Sequence, residues 1–61
     1  MTRDQARRIE MMMQDAYPDA DVTVERTPGG ARIEIYQPGS TMVAVVGSVS
    51  AVVVMLAAWR Q

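Results

Sequence analysis

The chain contains neither cysteine nor histidine, and lysine and phenylalanine are absent as well. Without cysteine there is no disulfide to staple the fold, and the redox compartment is unreadable. Losing cysteine and histidine together removes the usual zinc and copper ligand sets. Histidine is also the commonest general base, so acid–base and triad chemistry lack their main participant. An excess of charge is missing too. Six arginines stand against seven carboxylates, for a formal charge of −1, which argues against nucleic acid, whose phosphates call for a basic surface. No cofactor, small-molecule substrate or enzymatic activity is expected, because no nucleophile–base pair can be nominated. At 61 residues there is room for one small domain, marginal without a partner.

Among the residues present, the first periodic segment is Thr2 to Tyr17. Thr2-Arg3-Asp4-Gln5 fits a capping box, and Asp4 in the first turn suits the helix dipole. Asp4 and Arg8 are spaced as a favourable i,i+4 pair. Ala6, Ile9, Met12, Met13, Ala16 and Tyr17 fall on one side of a helical wheel, leaving Met11 among the polar residues. Pro18 ends the helix. Met1 to Ala16 has no apolar stretch of the signal-peptide type. Met12 and Met13 are read as core. Exposed Met11, with Arg7 and Arg8, is the candidate partner surface on this helix, since methionine adapts to what it meets.

Val22 to Arg26 and Ala31 to Tyr36 alternate with period two around Thr27-Pro28-Gly29-Gly30, the signature of a hairpin. A four-residue loop places Val24 opposite Ile33, Val22 opposite Ile35, and the opposite charges Glu25 and Arg32 opposite each other. Pro28-Gly29 suits the centre of a type II turn. Asp15, Asp19, Asp21 and Glu25 are acidic neighbours but lack the third aspartate and glycine of a calcium loop. Gly29, Gly30 and Gly39 form no phosphate loop. Pro38-Gly39 then divides the chain into residues 1–37, a helix plus hairpin, and residues 38–61.

That last third decides the reading. Ser40 to Trp59 carries no charge, and Met42 to Trp59 is a run of 18 residues whose non-hydrophobic members are Gly47, Ser48 and Ser50. Such a run is long enough for a transmembrane helix. On a wheel, Ala44, Gly47, Ser48, Ala51 and Ala58 line one side and the large apolar residues the other. This predicts a helix–helix interface, with Gly47 and Ala51 in small-xxx-small spacing. Tyr36 and Trp59 would sit near the two membrane interfaces and Arg60 would snorkel at the end. Five arginines before the span and one after it would place the N-terminus in the cytoplasm.

The first expectation is therefore an α+β chain of amphipathic helix, hairpin and apolar membrane-spanning helix. It would be a non-enzymatic, membrane-anchored accessory or regulatory protein that binds a protein partner and self-associates. The alternative is a soluble α-β-β-(β)-α two-layer domain with strand Thr41 to Val46 and helix Ser48 to Arg60, in keeping with the strand preference of valine. A Val-rich hairpin turning at Gly47-Ser48 is a further variant. The α-β-β-(β)-α order resembles, in topology alone, double-stranded-RNA-binding domains and small phage head–tail joining proteins. Ser48 to Trp59 has no lysine or arginine, so the basic patch that RNA binding needs is absent. This alternative implies a cytoplasmic or virion-associated oligomeric interaction or structural module, with protein covering the apolar helix.

Overall fold

A computed structural model describes residues 1–59 of the 61. Thr2 caps the first helix, α1 (Arg3–Ala16): its Oγ1 accepts from the Gln5 amide at 3.2 Å while the Gln5 side chain accepts from the Thr2 amide at 2.9 Å. Both halves of the capping box satisfy amide donors that the helix itself cannot. α1 closes at Tyr17, before Pro18, and Ala6, Ile9 and Met13 form its buried stripe. The Gln14 side chain bridges the exit turn. Its Nε2 donates to the Tyr17 and Ala20 carbonyls at 3.1 and 2.7 Å.

Three strands follow, β1 (Asp21–Thr27), β2 (Gly30–Gln37) and β3 (Ser40–Val46), forming one antiparallel sheet in the order β1-β2-β3. The β1–β2 register pairs Val22 with Ile35, Val24 with Ile33 and Glu25 with Arg32, as the loop count requires. The Arg32 side chain does not reach across to Glu25. It runs along its own strand to Glu34, Nη1 to Oε1 2.8 Å. This is the one ion pair among the described residues, so Asp4 and Arg8 are not bridged.

The turns differ from expectation in an informative way. Thr27 pairs with Gly30, which leaves Pro28-Gly29 as a two-residue connection, and Gly29 does not have the positive φ of a type II turn. The second Pro-Gly pair has it: Gly39 sits at φ 79°, following Pro38, with Gln37 paired to Ser40. That is the φ a type II turn demands at its third residue. Pro38-Gly39 is thus a hairpin turn, and the division between residues 37 and 38 falls inside one sheet.

The transmembrane expectation is corrected here. The apolar stretch is not one helix but strand β3, a corner at Gly47-Ser48, and helix α2 (Val49–Trp59) of 11 residues. Among the described residues no helix is long and apolar enough to cross a membrane. At 1.5 Å per residue α2 spans about 16 Å, roughly half a hydrocarbon core. The interface placements of Tyr36 and Trp59 and the orientation read from arginine counts rested on that span and do not follow without it. Arg60, the expected anchor, lies outside the described residues. The Ser48 hydroxyl accepts from the Ala51 amide at 3.1 Å and starts α2, the N-terminal cap role for which serine is suited.

Both helices cover one face of the sheet. Ile9 and Met13 from α1, Val22, Ile33, Ile35 and Val46 from the strands and Val52 from α2 form the core, with Ala20 and Ala31 closing it. Burying each of the larger side chains contributes about 1.5–3 kcal/mol relative to exposure. Tyr17 and Trp59 meet edge to face at the far end of the helical layer, ring centroids 6.4 Å apart.

Candidate interaction surface

The chemistry-bearing side chains gather on the uncovered face of the sheet. Arg32, Glu34 and Tyr36 project from alternate positions of β2, as the pleat dictates. Glu34 accepts from Arg32 with one oxygen and from the Tyr36 hydroxyl with the other. The Tyr36 phenol is held above its usual pKa chiefly by its hydrogen bond to Glu34, with desolvation and the Glu34 charge adding and Arg32 opposing. A proton shared with a carboxylate is harder to remove. The three groups satisfy one another and present no activated nucleophile. Among the described residues no group of three or more His, Cys, Asp or Glu is placed to hold a metal ion, and no polar side chain is buried.

Beside this network the surface changes character. Thr41, Val43 and Val45 of β3 stand opposite Tyr36, Glu34 and Arg32 respectively, and Val43 and Val45 are 51% and 74% exposed. On the other layer α2 buries Val52 and partly buries Val49, Met55 and Leu56, leaving Val53, Val54 and Trp59 half exposed or more. A helix apolar all round needs protein on every side, and here the sheet and α1 cover only part of its circumference. Val53, Leu56 and Ala57 line a groove shared with Met12 and Asp15 of α1.

The predicted helix–helix interface does not assemble as one stripe. Ala44 lies on β3, half-buried opposite Ile33; Gly47 and Ser48 make the corner; Ala51 and Ala58 remain together, exposed, on α2. The wheel failed because residues 44–48 turn by strand and loop geometry, not by 100° per residue. The other predicted surface stays on one helix face: Arg7, Arg8 and Met11, with Asp4, Met12 and Asp15, line a shallow groove along α1, and Met11 is 65% exposed.

Two features escaped sequence reading. One is the edge position of β3, which depends on where three strands settle. The other is the need for glycine at position 30. A Cβ there would lie 2.0 Å from the Val46 carbonyl oxygen, so Gly30 is what lets the end of β3 close against β2 before the chain turns into α2. Comparison with protein-family models, curated protein sequences and solved structures gives no match.

Proposed function

We propose that this chain is a non-enzymatic interaction and assembly module that presents the apolar end built by β3 and α2 to protein. One observation carries this reading. From Ser40 to Trp59 the surface has no charge, and it leaves Val43, Val45, Val53, Val54 and Trp59 at least half exposed. Surfaces of small monomers rarely leave so many large apolar side chains uncovered without a binding role. The module acts by occupying or joining surfaces and requires no group that titrates or reacts. Met11, with Arg7 and Arg8 beside it, supplies a second and smaller contact on α1.

The test is site-specific photocrosslinking in the cell that makes the protein. A photoreactive residue at Val45 or Val54 should give discrete adducts, and one at Glu25, on the charged first strand, should give none. Equal labelling at all three positions, or no adduct from either valine, would refute the reading.

A further inference from the structure

The two edges of the sheet are not alike. β1 carries Asp21, Glu25 and Arg26, and charged side chains on an edge strand protect it against pairing. β3 is seven residues long, STMVAVV, with no charge and no proline, and among the described residues no strand pairs with its outer side. The segment that follows is uncharged as well: among the residues of β3, the corner and α2 none is ionisable, and the charges next to β3 on the open face, Arg32 and Glu34, are paired with each other. A charged peptide would find no counter-charge along this edge. A second copy of the same edge brings none and meets none, so self-pairing carries no electrostatic penalty.

Resting on the reading that this end binds protein, we propose that β3 is a strand-addition site whose partner is the β3 of a second copy, giving a two-fold dimer with a continuous six-stranded antiparallel sheet. A pairing between identical strands closes on itself, whereas a β3-to-β1 contact would propagate as a filament through the charged edge. Outward backbone groups belong to alternate residues, so the two-fold axis must pass through a residue. Pairing all seven residues puts Val43 on the axis, sets Thr41 against Val45 on the open face, and sets Met42 against Ala44 on the helical face. About six to eight inter-strand hydrogen bonds form. Val53, Leu56 and Ala57 of α2 line the groove that it shares with α1. Ala51 and Ala58 lie on its other flank by helical geometry, and their small side chains do not obstruct the second copy.

The size of the contact sets its strength. The strand is about 24 Å long and the molecule 16 Å deep, a section on the order of 400 Å². A standard stable interface buries about 800 Å² per partner. The dimer is therefore a weak, concentration-dependent one, with a Kd between about 1 μM and 1 mM.

Sedimentation of the full chain over that range, with circular dichroism to verify folding, tests the proposal. The wild type should dimerise. Val43→Lys and Val43→Glu, at a half-exposed position, should each keep the fold and raise the dimer Kd by about tenfold or more, like charges meeting on the axis in place of a valine contact. An equimolar mixture of the two variants should recover dimer, because lysine then faces glutamate. A wild type that stays monomeric at about 1 mM overturns the proposal, as does a mixture that fails to recover. A dimer unaffected by either charge also overturns it while leaving the apolar end as a binding surface. Photocrosslinks from Val45 or Val54 to other proteins alone separate the two readings in the same way.

Discussion

Gly29 and Gly30 are neighbours in one turn, yet alanine should act on them in opposite directions. At Gly30 an added Cβ would stand 2.0 Å from the Val46 carbonyl oxygen and 2.8 Å from the Gly47 Cα, both backbone atoms, and φ is 153°. Overpacking of this kind costs about 1–3 kcal/mol, and a backbone conformation reserved for glycine adds about 1–3 kcal/mol. The expected loss for Gly30→Ala is therefore about 2–6 kcal/mol. A chain of 61 residues has a total stability of about 3–9 kcal/mol, so the variant should lose a large part of it or fail to fold. At Gly29 nothing lies within 4 Å of the added atom, and φ is not positive. Gly29→Ala should stabilise by about 0.4–1 kcal/mol, because alanine restricts the unfolded chain. Urea denaturation of both variants at one fixed protein concentration, followed by circular dichroism, reads the difference directly. In a thermal scan each kcal/mol corresponds to about 4–8 °C. If the two alanine variants fall within 0.5 kcal/mol or so of each other, the close approach of β3 to Gly30, and with it the corner that launches α2, is refuted.

Two further outcomes test the core and the sheet face. Ile33, fully buried at the centre of the sheet, should cost about 2–5 kcal/mol on replacement by alanine. Val45→Ala, on the open face, should stay within about 0.5 kcal/mol when both are measured at a concentration where the chain is monomeric. Tyr36 should titrate at higher pH than an ordinary phenol, and Glu34→Ala should bring it back toward 10.0, as read by ultraviolet absorbance of the phenolate. The folded-state pKa is raised, so the linked stability is present below pH 10.0 and is lost as pH climbs through the higher folded value. A Tyr36 midpoint unchanged by Glu34→Ala would show that the hydroxyl–carboxylate bond is not formed in solution.

Residues 1–37 could be read from the sequence because each element there announces itself twice. α1 has both a capping box and a one-sided apolar stripe. The hairpin has both alternation and a loop count, which together give the observed pairing of Val24 with Ile33. Local chemistry and periodicity agree, so no long-range information is needed. Ser40 to Trp59 offers no such agreement. Valine, alanine and methionine occupy both faces of any element drawn through it, so apolar periodicity cannot separate strand from helix. The small-residue stripe on the wheel was one of several patterns that such a composition produces.

What resolves that stretch is tertiary. β2 presents a second row of backbone donors and acceptors, and Pro38-Gly39 folds the next seven residues back onto it, where a β-branched strand is stabilised by ladder hydrogen bonds and by Ile33 and Ile35 beneath. The sequence by itself determined where the charges stop and how the first two strands pair. Only the packed structure decided that β3 is an edge, that α2 is too short to span a bilayer, and which apolar side chains remain uncovered. Exposure belongs to the whole arrangement of layers: the same valine is core at position 52 and surface at position 54, two residues apart on one helix, because only one side of that helix has protein to lie against.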